Sequence, residues 1–340
     1  MNNRCWNTTI VIKGIAEWII AGLISLLISS FFVLIYNYSG THIINLSGAT
    51  DYKWVAGQYK AQWAEGINYM HMDENGFNNL SSDDENVDIL LMGGSHMEAI
   101  QFPTEYNAGS LLNEYLPDYR TYNIGMSGHQ LINCLDNLEA AVVEYSPNGY
   151  VVIETDNIDI SEEDLVCVRD GLVPHIPSYD SGLLYQLQRV PALKVVYKQL
   201  TDKLSIDRLM RMSDKTDVDT DGISSSRIEV LKEVLNQKAA VCSDNNIRLV
   251  LCYMPHIYVG EDGKLERDDD AEWTETVRNA ADEYGIIMID CFEAAKTEYE
   301  NTYALPYGFN NSTMGSGHLN MVGHEIVARE IAKAIEEDKG

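Results

Sequence analysis

Beyond residue 85 the chain repeats one pattern: a short apolar run with little alternation, then a longer stretch whose apolar positions fall at helical spacing. The runs are 87–92 (VDILLM), 120–124 (RTYNI), 150–154 (YVVIE), 247–253 (IRLVLCY) and 285–290 (GIIMID). Strands covered on both faces lose the in-out alternation of half-buried ones, so the pattern predicts a parallel sheet with helices on each side. Helices are expected over 129–145, 226–242, 271–284 and 321–335. The first carries Leu131, Leu135, Leu138, Val142 and Tyr145 on one stripe and stops at Pro147. Alternating β and α elements make this an α/β chain, with a three-layer, doubly wound parallel sheet over 85–340.

The remaining stretches read differently. Residues 18–36 (WIIAGLISLLISSFFVLIY) carry no charge and as a helix rise about 28 Å, enough to span a bilayer. A cleaved signal peptide would need a shorter apolar core and a small-residue cleavage site, which 37–50 lacks. Arg4 and Lys13 precede the span and Lys53 is the first basic residue after it. The positive-inside rule therefore makes 1–17 a cytoplasmic tail and puts the rest outside the membrane. Residues 37–84 read as a stalk or lead-in with some order around Trp54 and Trp63, and 161–225 as a helical insertion longer than a simple crossover needs. Within the insertion Asp217, Asp219, Asp221 and Gly222 open like a calcium loop, but the twelfth position is Ile228. Glu229 instead pairs with Ser226 as a capping box.

Charge narrows the partners. With 24 Lys+Arg against 52 Asp+Glu the net charge is −28, which excludes a nucleic-acid surface and leaves the apolar helix, not electrostatics, to hold the chain at a membrane. Of six cysteines, Cys5 precedes the span. The other five, Cys134, Cys167, Cys242, Cys252 and Cys291, read as buried apolar positions rather than a disulfide framework. No H-x-x-x-H or C-x-x-C spacing offers a metal site, and no cofactor is expected.

Chemistry gathers where strands should end. The first strand runs into Gly93, Gly94, Ser95 and His96, a sharp turn that places a serine at a helix start, where free N–H groups can stabilise an oxyanion. The second leads to Gly125 and Gly128, with His129 following; the third leads to Asp156 and Asn157; His256 follows the fourth. In open α/β sheets these carboxyl ends hold the ligand. His318 sits in a glycine-rich loop, GSGHLN, before the last helix, and Tyr303, Tyr307 and Phe309 lead into that loop, where they could stack on sugars or pack the loop itself.

In this order, serine, glycine, asparagine and histidine resemble the SGNH/GDSL hydrolase superfamily, over about three quarters of the chain. The resemblance implies Ser95 as nucleophile, Ser95, Gly128 and Asn157 as oxyanion donors, and His318 as base, with His96, His129, Asp156 and His256 lining the pocket. With the apolar helix, it is similar to membrane-anchored members that acylate cell-surface polymers, such as the alginate O-acetylation and lipoteichoic acid D-alanylation proteins. It implies an extracytoplasmic O-acyltransferase, with acetyl the expected group, that takes its acyl group from a membrane-bound donor protein and hands it to a glycan or polymer. An esterase using water, and a non-catalytic assembly protein on the same fold, are the alternatives. The chain departs from the family at GGSH in place of GDSL, at Glu154, Thr155, Asp156, Asn157 in place of G-x-N-D, and at Gly315, where a carboxylate usually stands three residues before the histidine. A main-chain carbonyl near Gly315 is therefore expected at His318 Nδ1, with Asp156 or Asp159 as the rival acids.

Overall fold

A computed structural model describes residues 8–36, 42–44, 50, 52–62, 65–81, 86–173 and 224–339. The chain divides into two compact units, the first containing the N-terminal helix and the second the α/β domain. Helix α1 (Thr8–Tyr36) begins before the uncharged stretch, and its Lys13–Phe32 portion is long and apolar enough to cross a membrane.

In the second unit the chain order is β1 (His42–Ile44), β2 (Tyr52–Trp54), β3 (Tyr59–Gln62), β4 (Asn68–His71), β5 (Ile89–Met92), α2 (Ser95–Glu98), α3 (Ala108–Tyr115), β6 (Thr121–Asn123), α4 (Leu131–Tyr145), β7 (Tyr150–Thr155) and α5 (Glu162–Asp170). After the undescribed stretch come α6 (Ser225–Asp244), β8 (Arg248–Tyr253), β9 (Ile257–Val259), β10 (Leu265–Arg267), α7 (Ala271–Glu283), β11 (Ile287–Asp290), α8 (Phe292–Thr302) and α9 (Met321–Lys339). Five strands form one parallel sheet in the order β11-β8-β7-β5-β6. All five are the runs expected from the sequence. The order reverses between β5 and β7, which opens a crevice at their carboxyl ends.

Each sheet face builds its own core. Leu90, Val151, Ile153, Leu249 and Leu251 pack with Leu135, Leu138, Val234 and Val277 on one side. Ile89, Leu91, Val152, Val250 and Ile289 pack with Leu112, Ile326, Val327 and Ile331 on the other. Neighbouring positions along each strand thus go to opposite cores, and burial on both sides removes the polar alternation from the sequence.

Two sequence expectations change. The stalk reading fails from Tyr52 onward: β3 and β4 form an antiparallel hairpin, and Trp54, Met70, Met72 and Phe77 belong to the first core. The capping box moves as well. Ser224 rather than Ser226 caps α6, accepting from the Arg227 N–H, while Ser226 Oγ donates to Glu162. Of the expected insertion, α5 is described; Asp217, Asp219, Asp221 and Gly222 lie outside the described residues. Among the described residues Cys134, Cys167, Cys242, Cys252 and Cys291 are free thiols, Cys252 and Cys291 with their Sγ atoms 3.6 Å apart in the second core.

Candidate active site

β5 delivers the chain to Gly93 and Gly94, and Ser95 begins the single turn of α2. A Cβ on Gly94 would lie 2.5 Å from the His129 carbonyl oxygen, and one on Gly93 would lie 2.6 Å from Met97 Cγ. Glycine here lets the loop after β6 rest directly on the serine turn. Ser95, His96, His129 and Asp156 thereby line one small cleft of about 40 Å³. Asp156 also lines an adjoining groove of about 200 Å³ with His256 and Asn157.

His96 is buried, its Nδ1 3.5 Å from Glu154 Oε1 and its Nε2 3.9 Å from Asp156 Oδ2. Asp156 also meets His256, Oδ2 to Nε2 at 3.3 Å. Burial opposes charge on His96, yet Glu154 and Asp156 hold its imidazole above the ordinary histidine value. Burial pushes the Glu154 carboxyl up, with His96 pulling against it. Burial pushes Asp156 the same way, but its two histidines outweigh that and bring it below the usual carboxylate range. Asp156 in turn raises His256.

His318 departs from expectation in an informative way. Its Nδ1 lies 2.5 Å from Glu65 Oε2, and its backbone N–H donates to Glu65 Oε1 at 2.8 Å. The partner is a side-chain carboxylate, not a main-chain carbonyl near Gly315, and it is neither Asp156 nor Asp159; Asp159 pairs with Arg227 at 2.5 Å. Glu65 comes from the turn between β3 and β4, which is pinned from several sides. The Asn311 amide donates to the Gly66 carbonyl and accepts from its N–H, at 2.9 and 2.8 Å. Asn68 donates to the Phe102 carbonyl at 2.5 Å, and Asn78 to those of Glu98 and Ala99 at 2.8 and 3.0 Å. Gly317 takes φ +87°, and a Cβ there would fall 2.2 Å from Glu65 Oε1. That glycine is what admits the carboxylate. In the same loop Asn320 donates to the Leu305 and Gly308 carbonyls and caps the start of α9 by accepting from Val322 N–H.

No protein-family profile matches the chain, and no curated relative does. Among solved structures it is similar to a two-domain esterase active on acetylated mannans, co-crystallized with mannopentaose, at 12% identity and TM-score 0.42, covering 75% of this chain and 50% of that one. An acetyl xylan esterase is similar at 15% identity and TM-score 0.39, over 72% of this chain and 98% of that one. A member of the lipolytic protein G-D-S-L family from Veillonella parvula is similar at 11% identity and TM-score 0.38, over 72% of this chain and 96% of that one. The chain spans half the length of the two-domain esterase.

The remaining sequence candidates divide. Gly128 takes φ +90° immediately before His129, a conformation that suits glycine. Asn157 is exposed and outside the Ser95 cleft; its Oδ1 accepts the Asp159 N–H at 2.8 Å, closing a local turn. Asp156, one residue earlier, is the side chain that reaches the cleft, so a carboxylate faces the place expected for an amide donor. Tyr307 is buried and donates to the Met254 carbonyl, and Phe309 stacks on Phe102, so both pack the loop; Tyr303 is exposed. Among the described residues no group of three His, Cys, Asp or Glu side chains could hold a metal ion. Glu65 was missed because its only link to His318 is spatial. The two residues stand 253 positions apart, and no local spacing tells which loop the Glu65-Gly66 turn will meet.

Proposed function

We propose that the chain is a serine-dependent O-acyltransferase of the cell surface, with Ser95 as nucleophile, His318 as base and Glu65 as the acid that orients it. The observation that carries this reading is the short Glu65–His318 pair, whose imidazole stands 5.8 Å from that of His96, the residue after Ser95. Glu65 accepts the Nδ1–H, which leaves Nε2 free to take the Ser95 proton as Oγ attacks the acyl carbonyl. Collapse of the tetrahedral intermediate returns that proton to the leaving alcohol of the donor and leaves an ester on Ser95. In the second half-reaction His318 deprotonates an acceptor hydroxyl, which takes the acyl group and frees the serine. Backbone N–H groups at the start of α2, with that of Gly128, are the oxyanion donors of this reading.

The acceptor is a glycan or another surface polymer lying in the groove beside Asp156 and His256, and the donor is a membrane-bound acyl carrier met at the bilayer. In this reading α1 is the anchor and Arg4 and Lys13 keep the N-terminus in the cytoplasm. A built carboxylate–histidine pair supports catalysis over a purely structural role for the domain.

The test uses the full chain in detergent with a chromogenic acetyl ester, with and without a soluble glycan. The expected result is an acetyl group on Ser95 by peptide mass spectrometry and acceptor-dependent release of the chromophore. Release that ignores the glycan gives the esterase, with water as acceptor. No acylation of Ser95 from any ester overturns both.

A further inference from the structure

Acyl transfer at Ser95 would build negative charge in a cleft that already holds carboxylates. Glu154 is 2% exposed, and both it and Asp156 line the cleft. An oxyanion there would be a further negative charge at close range, where little water screens it. His96, the residue after the nucleophile, lies between the two acids, 3.5 Å from Glu154 and 3.9 Å from Asp156. Among the described residues Glu154 Oε1 has no hydrogen bond of ordinary length, His96 Nδ1 standing 3.5 Å from it. What His96 offers there is charge at short range rather than a directed bond.

We propose that His96 is the counter-ion of the nucleophile turn, an imidazolium that cancels the Glu154 and Asp156 carboxylates so that an oxyanion can form beside Ser95. The other titratable groups around it fit this assignment. His256, about half exposed, shares Asp156 from the groove side. The His318 and Tyr307 rings stand 5.8 and 5.7 Å from the His96 ring, and the Tyr307 hydroxyl is committed to main-chain carbonyls. His324, fully buried, is pulled down to about 3 by burial and stays neutral, its Nδ1 accepting from the Ala108 N–H. Among the described residues His96 is thus the buried histidine that faces both acids. It acts through the field in the cleft and is a positioning residue.

The catalytic half of this inference rests on the ester reading; the charge pairing does not. The full chain is compared with His96→Gln and with the double variant His96→Gln/Glu154→Gln. His96→Gln should lower kcat on the chromogenic ester about 100-fold with little change in KM, the scale of losing an oxyanion contact. The double variant should recover about tenfold of that loss, because removing the nearer acid removes the need for its counter-ion. In parallel, the melting temperature at pH 6 should fall in the single variant and return in the double. A single variant with wild-type kcat, or a double no faster than the single, overturns the inference. A wild type without ester turnover would sink the ester reading alone, and the melting temperatures then decide: a double that melts no higher than the single overturns the charge pairing.

Discussion

Two carboxylate–histidine assemblies flank the serine turn, and they are built on different principles. Glu65 touches His318 with both oxygens, one on the ring and one on the backbone N–H, at 2.5 and 2.8 Å. Glu154 and Asp156 face His96 at 3.5 and 3.9 Å. The first assembly fixes a tautomer and a direction, because a hydrogen bond is steep in distance and angle. The second fixes a charge, because Coulomb energy changes little over the same displacement. A histidine that must move a proton needs the first kind, and a histidine that must balance acids needs only the second.

The comparison breaks most decisively at the residues where chemistry would occur. Ser95→Ala and His318→Ala should each abolish acylation of the chromogenic ester, and the double variant should be no worse than either, since nucleophile and base act as a unit. Additive losses in single-turnover assays would separate the two residues and remove the shared mechanism.

Next in size is the directional pair. Glu65→Gln keeps the shape but favours the wrong tautomer, and should lower kcat by about 1,000- to 10,000-fold. Asp156→Asn should cost no more than about tenfold, because it sits in the diffuse assembly. Steady-state kinetics on both variants decide, and the reverse order would make Asp156 the orienting acid.

Gly317→Ala attacks the same pair through the backbone. With φ at +87° and the Glu65 carboxylate 2.2 Å from the added Cβ, it should push the acid off His318 and reduce kcat about 100-fold, at a stability cost of about 1–2 kcal/mol. Denaturant melts alongside kinetics separate the two effects. The same backbone conformation at Gly315, φ +82°, makes Gly315→Asp a strained substitution, and it should give no gain in activity.

The smallest effect is on stability with pH. The His96 imidazole is raised on folding, so its contribution is complete below the unfolded value, about 6.5, and fades as pH climbs through the folded one. Asp156 is lowered, so its contribution holds above about 3.9 and fades as pH falls. The melting-temperature gap between wild type and His96→Gln should therefore be widest near pH 5–6 and narrow toward pH 9. A gap that grows with pH would reverse the sign and contradict a charged His96.

The five core strands and the helices on 129–145, 226–242, 271–284 and 321–335 were legible because burial on two faces, or on one stripe, writes itself into local periodicity. That Ser95, His96, His129 and Asp156 would meet was legible for a related reason: strand ends in a parallel sheet converge at one edge. The lead-in was not. Tyr59, Tyr69 and His71 keep an outward face on the hairpin, and that half-polar pattern resembles a solvated linker. Asn157 was misplaced by a single residue, and the turn made by its own side chain decides which of Asp156 and Asn157 faces the cleft.

The Glu65–His318 pair joins positions 253 residues apart, one near the start of the folded domain and the other in its last loop. During synthesis Glu65 and Ser95 emerge long before His318. The loop that carries the base is held by Asn320, at the edge of the final helix. A chain cut before His318 would leave Glu65 without its histidine partner. The pair therefore forms only once two stretches far apart in the chain have come together, and it is a contact of the finished domain rather than of any local segment.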